Sequence, residues 1–147
     1  MILIKKFTFE AGHYLPGHPK CGTQHGHSWS LKISIEGQVK ENGMIMDFSE
    51  LKGLVDFYVL NYLDHKNLND QFQFVPTCEN LAIWIWSQLE SILSSSGVRL
   101  VRIKICETPD SCICYRGIKK PSLTITSAVY GNFKDNPMTR QEFLSLI

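Results

Sequence analysis

The sequence predicts an α+β domain with the element order ββααββ. Three observations carry this. Apolar and polar residues alternate strictly near positions 3–11, 25–36 and 98–107, the period of a half-buried strand. Between the second and third of these lie two segments, 48–63 and 77–92, with apolar residues at helical spacing. Clusters of Gly, Pro, Asn and Asp separate the segments.

In the first strand Phe7, Phe9 and Ala11 share one face with His13, and Thr8 and Glu10 share the other. The turn-rich run Pro16-Gly17-His18-Pro19-Lys20-Cys21-Gly22 follows. In the second strand His25, His27, Trp29, Leu31, Ile33 and Ile35 face one way, with Ser28, Ser30, Lys32, Ser34 and Glu36 opposite, a pattern typical of antiparallel pairing. Leu51, Leu54, Val55, Tyr58 and Tyr62 form the stripe of the first helix, which Gly53 weakens slightly. The segment 64–70 reads as a loop. Thr77 is the expected N-cap of the second helix, whose stripe is Leu81, Trp84, Ile85, Leu89 and Ile92. In the third strand Val101, Ile103 and Ile105 face inward. Glu107 shares their parity, an odd place for a carboxylate. Residues 112–115 make a short last strand. Beyond 117 the pattern breaks. Residues 118–147 read as an extension, with a short strand at 123–125 and a terminal helix opened by the capping box Thr139-Arg140-Gln141-Glu142.

The 147 residues suffice for one core, which buries roughly 70% of the unfolded surface. Fifteen Lys and Arg against fourteen Asp and Glu leave a net charge of +1, which removes the electrostatic case for nucleic acid or an anionic membrane as partner. No apolar run approaches the ~20 residues of a spanning helix. The N-terminus charges too early for a signal peptide, and the five Cys are odd in number, so a cytoplasmic protein with reduced thiols is expected.

The chemistry concentrates in His25-Gly26-His27. Alternate strand residues point the same way, so the two imidazoles sit on one face about 7 Å apart along the chain. That suits two ligands of one metal ion, and His13 supplies a third. Three nitrogens with an open position are the donor set of a catalytic zinc. The same pattern also fits half-buried structural histidines, and three imidazoles also suit other divalent ions. Cys21 lies four residues before His25, where a nearby cation favours the thiolate. Cys78, Cys106, Cys112 and Cys114 read as inert, buried fillers. Asp64-His65 follows a helix, in a loop where a carboxylate tunes an imidazole.

Together, Phe9-Glu10-Ala11-Gly12-His13, Cys21-Gly22-Thr23-Gln24-His25-Gly26-His27, Met46-Asp47-Phe48, Leu63-Asp64-His65, Pro76-Thr77-Cys78-Glu79-Asn80 and Glu107-Thr108 resemble the 6-pyruvoyltetrahydropterin synthase superfamily, in its order. The resemblance covers about residues 2–117 and ends on Cys112-Ile113-Cys114-Tyr115-Arg116-Gly117. Three residues between Cys21 and His25 are most similar to the 6-carboxy-5,6,7,8-tetrahydropterin synthase branch. A branch with Glu two residues before the first His fits poorly, because Thr23 stands there. Gly12 departs from the more common Ala.

The resemblance implies a tunnelling fold (T-fold): a four-stranded antiparallel sheet with two helices on one face, closed into a barrel by oligomerisation. A homohexamer, a dimer of trimers, is implied. It further implies a lyase that converts 7,8-dihydroneopterin triphosphate to 6-carboxytetrahydropterin, acetaldehyde and triphosphate, on the way to 7-deazaguanines such as queuosine. His13, His25 and His27 would hold Zn2+. Cys21 would accept a proton, Asp64 and His65 would relay protons, and Glu107 would anchor the N–H edge of the pterin. Lys20 and Arg116 are candidates for the triphosphate. A 6-pyruvoyltetrahydropterin synthase and a non-catalytic zinc- and pterin-binding protein are the alternatives. Residues 1–117 would form the synthase domain. His18 has no assigned role.

Overall fold

A computed structural model describes residues 1–117. The expected strand and helix at 123–125 and 139–144 lie outside the described residues. The elements are β1 (Ile2–His13), β2 (His25–Glu36), α1 (Phe48–Val55), a π-helical turn (Asp56–Leu60), α2 (Asn61–Leu63), β3 (Lys66–Asn67), α3 (Leu68–Gln71), α4 (Cys78–Ser95), β4 (Arg99–Thr108) and β5 (Ser111–Tyr115). No described helix is long and apolar enough to cross a membrane.

The sheet order is β3-β1-β2-β4-β5. The antiparallel meander β1-β2-β4-β5 is the expected four-stranded sheet. The fifth strand corrects the expectation: β3 pairs in parallel with β1 through Ala11–Lys66 and Gly12–Asn67, so the sheet is mixed. Two residues are too few for periodicity to reveal. Side chains tie this segment down instead. The Asn67 carboxamide caps α3. Asn69 accepts from the Tyr14 N–H at 2.8 Å and donates back to the Tyr14 carbonyl at 3.0 Å.

The core lies between one sheet face and the helices. Phe7, Phe9, Trp29, Leu31, Ile33, Ile103 and Ile105 supply the sheet side, and Leu51, Leu54, Leu81, Ile85 and Leu89 the helical side. Three details differ from the helical and strand periods. The π-helical turn adds a residue to the repeat, so Val59 and Leu63 are buried while Tyr62 turns outward. Near the end of α4, Leu93 is fully buried and Ile92 only partly so. A bulge in the β2–β4 register at Ser34/Ile35 brings Leu100 inward in place of Val101.

The thiols also differ from expectation. Cys106 and Cys112, directly opposite on β4 and β5, are joined by a disulfide, and Cys114 is exposed rather than buried. Adjacent strands placed back to back by a two-residue turn bring the pair within bonding reach, which an odd Cys count conceals.

Among the described residues no helix packs on the other sheet face. There Lys6, Lys32 and Lys104 stand abreast on three neighbouring strands, Lys6 opposite Lys32 and Lys32 opposite Lys104. Ile2 and Ile4 of β1 are also exposed.

Candidate active site

The three histidines meet where β1 ends and β2 begins. His13 is directly opposite His25, and Ala11 is opposite His27, so all three rings emerge on the core face of one strand pair. Ring centroids lie 4.8 Å (His13–His25), 5.3 Å (His13–His27) and 4.9 Å (His25–His27) apart. One donor nitrogen from each lies within 4.8 Å of the others, the sole such cluster among the described residues.

Hydrogen bonds set which nitrogen is free. His13 Nδ1 is 2.8 Å from the Pro76 carbonyl, and His25 Nδ1 is 2.8 Å from the Thr23 carbonyl. A carbonyl only accepts, so Nδ1 donates in both rings, which selects the tautomer whose Nε2 is the metal-binding nitrogen of the neutral ring. Nε2 of His13 and Nε2 of His27 are buried without a partner. Burial, with the neighbouring His13 and His25, lowers the His27 pKa against the opposing pull of Glu107, favouring the neutral ring that binds metals. Three clustered imidazoles, two of them with buried, unpartnered Nε2 atoms, fit a borderline divalent cation such as zinc. Trp29 forms the floor, 5.2 Å from His13 and 5.6 Å from His27, and is itself held by Nε1 donating to the Ala11 carbonyl at 3.1 Å.

Glu107 reaches this centre from β4. Its Oε1 is 3.7 Å from His13 Nε2, beyond hydrogen-bond reach, and the side chain is 25% exposed. The inward parity expected from the sequence is therefore realised. Cys78, first residue of α4, lies against Glu107. Burial, reinforced by the Glu107 carboxylate, pushes its thiol up to about 12. The Thr77 hydroxyl caps this helix by accepting from the Asn80 N–H at 3.3 Å, as expected.

Asp64 and His65 form a pair, Oδ1 to Nδ1 at 3.0 Å. They are strapped to β1: the Glu10 N–H donates to Asp64 Oδ1 at 3.0 Å, and the His65 N–H donates to the Glu10 carbonyl at 2.6 Å. His65 takes a positive φ of 57°, a conformation that tight double anchoring sustains. The Glu10 N–H, more than His65, holds the Asp64 carboxyl below the ordinary aspartate value, against the effect of burial. His65 and His27 both line an open cavity of about 370 Å³, together with Glu10, Gly26 and Ser28, which alternate with the histidines on their strands; Asp64, His13 and His25 are not among its lining residues.

Cys21 sits in the β1–β2 loop that runs directly into His25, and it is half-buried. The loop is cross-braced at Leu15, His18 and Cys21. Lys20 and Arg116 are both exposed. At Gly12 a Cβ would come within 2.8 Å of Gln24 Nε2 and 3.2 Å of the His25 carbonyl. Sequence reasoning missed the backbone partners Pro76 and Thr23, which carry no side-chain signal. It also left His18 unassigned, although its place three residues before Cys21 was a usable hint.

A family model described as 6-pyruvoyl tetrahydropterin synthase matches residues 2–118. The chain belongs to the 6-pyruvoyl tetrahydropterin synthase family. It is 41% identical over 110 residues to a protein of Archaeoglobus fulgidus provisionally named as a 6-carboxy-5,6,7,8-tetrahydropterin synthase, covering 75% of this chain and 90% of that one. It is 40% identical over 122 residues to the 6-carboxy-5,6,7,8-tetrahydropterin synthase of Synechocystis, covering 78% and 92%. The structure of the 6-pyruvoyl tetrahydropterin synthase of Caenorhabditis elegans superposes with a TM-score of 0.71 at 30% identity, over 80% of this chain and 96% of that one. These relatives place the chain among pterin synthases and its sheet among T-folds.

Proposed function

We propose that this pterin synthase is a zinc-dependent 6-carboxy-5,6,7,8-tetrahydropterin synthase, a lyase that converts 7,8-dihydroneopterin triphosphate and one water to 6-carboxytetrahydropterin, acetaldehyde and triphosphate. The observation that carries it is the convergence of three imidazoles, two with buried, unpartnered Nε2 atoms, beside the Glu107 carboxylate. The two curated relatives at 41% and 40% identity carry the carboxy name, which supports this branch.

His13, His25 and His27 hold the metal through their free nitrogens. A zinc ion bound there supplies Lewis acidity, which makes the carbon–hydrogen bonds of the substrate's hydroxylated side chain easier to ionise. Cys21 Sγ takes a proton from that side chain. His65 exchanges protons with the side-chain hydroxyls through Nε2, because Nδ1 is engaged by Asp64. Glu107 accepts hydrogen bonds from the N–H edge of the pterin ring, a paired geometry that a carboxylate satisfies. Residues 1–117 are the synthase domain in this reading, and 118–147 an extension. A homohexamer, as a dimer of trimers, would cover the open sheet face on which Ile2 and Ile4 are exposed.

The deciding experiment is product analysis after incubating the zinc-loaded protein with 7,8-dihydroneopterin triphosphate. Acetaldehyde and a 6-carboxylated pterin support the reading. A 6-pyruvoyl product without acetaldehyde establishes the second reading, a 6-pyruvoyl tetrahydropterin synthase, which the likeness to the nematode enzyme favours. No turnover with any natural pterin leaves a binding protein.

A further inference from the structure

His18 stands outside the imidazole cluster, five residues past His13 and seven before His25, and its side chain is exposed. It nonetheless makes more local bonds than any neighbour in the β1–β2 loop. Its Nδ1 accepts from the Cys21 N–H at 2.9 Å and from the Lys20 N–H at 3.3 Å. Its own N–H donates to the Leu15 carbonyl at 3.0 Å, and its carbonyl accepts from the Gly22 N–H at 2.9 Å. The Leu15 N–H closes the loop onto the Cys21 carbonyl at 2.8 Å. Both backbone groups of Cys21 are thereby tied, and the N–H is tied by a side chain.

An exposed imidazole stabilises little by burial. Its structural work is to replace water at two amide N–H groups in a loop rich in Gly and Pro. Such side-chain acceptors select one turn from the many that a loop of this composition allows. The turn selected is the one that carries Cys21. Gly22, next in the chain, is crowded against the same residue: a Cβ there would lie 2.6 Å from the His18 carbonyl oxygen. The loop accepts this close approach only because Gly22 lacks a side chain.

We propose that His18 is a positioning residue for Cys21: its Nδ1 fixes the Cys21 backbone and so the line along which the thiol meets substrate. This rests on the reading of Cys21 as the proton acceptor. Nδ1 must be unprotonated to accept, so the ring holds its proton on Nε2, facing solvent. A misplaced base loses rate steeply while substrate affinity, set elsewhere, is retained.

The test uses the full zinc-loaded chain with Cys114→Ser, leaving Cys21 as the accessible free thiol. His18→Ala and His18→Asn are compared for kcat, KM, metal content and the rate of Cys21 alkylation by iodoacetamide. His18→Ala is expected to lower kcat by about 10-fold or more. KM and metal content should hold within about 2-fold, and alkylation of Cys21 should change rate. His18→Asn, whose side-chain oxygen accepts from the same amides, should recover most of both kcat and the alkylation rate. Wild-type kcat and alkylation in His18→Ala overturn the proposal, as does equal damage by Ala and Asn. Cys21→Ala separates the two claims. If it turns over normally, Cys21 is not the base, and the alkylation rates alone then decide whether His18 positions it.

Discussion

His13 Nδ1 and the carbonyl oxygen of Pro76 lie 2.8 Å apart, joining the end of β1 to the residue that precedes the cap of α4. This bond orients the imidazole before any metal arrives. It also couples the centre to folding. His13→Ala should cost about 1–3 kcal/mol for the unsatisfied buried carbonyl, in addition to lost packing on Trp29. Urea unfolding of the metal-free proteins measures it. Equal stability of variant and wild type would show the bond to be incidental.

Metal should be a large part of the holoprotein's stability. Elemental analysis is expected to give one zinc per chain, and none in His27→Ala. At a hundredfold excess over Kd, binding adds ~2.7 kcal/mol, so chelation should lower the unfolding midpoint by about 5–10 °C. A midpoint that ignores the chelator contradicts the His13/His25/His27 assignment.

The Asp64 carboxyl is more acidic in the folded chain than in the unfolded one, chiefly because the Glu10 N–H donates to it. The folded state therefore binds fewer protons as this group titrates. The stabilisation is present above the unfolded value of about 3.9 and is lost as pH falls through the lower folded one. Comparing wild type with Asp64→Asn at pH 7, 5 and 3 should show a gap that narrows with acid. The group is partly exposed, so the gap will be small. A gap that does not change with pH would refute the assignment.

Cys78 shows the opposite sign. With its folded value near 12, the thiol stays protonated while the unfolded chain ionises above about 8.5. Stability should therefore decline as pH rises past 9, and Cys78→Ser should flatten that decline. In a native thiol assay Cys21 and Cys114 react, and Cys78 reacts only after unfolding. Rapid labelling of Cys78 in the native protein would be the contrary result.

Most of the frame could be read directly from the chain. Strict alternation in β1 and β2 placed His13, His25 and His27 on one face, because a strand leaves no other option. The odd parity of Glu107 marked its reach toward His13. What eluded the sequence was set by backbone and tertiary context. The π-helical turn that exposes Tyr62, the bulge that brings in Leu100, and the two-residue β3 each change a period too briefly for a pattern to form. The Cys106–Cys112 bond depends on cross-strand register, which spacing alone does not define. His18 was visible as a residue, but its role is a set of bonds to main-chain amides, and those leave no trace in composition.

The row of Lys6, Lys32 and Lys104 has a consequence for handling the protein. Like charges set directly opposite on neighbouring strands repel, by some tenths of a kcal/mol per pair. No carboxylate among the described residues pairs with any of the three. Counter-ions must do so instead, and their screening distance shrinks from about 30 Å at 0.01 M salt to about 8 Å at 0.15 M. This sheet is thus one that dilute buffer weakens and ordinary ionic strength supports.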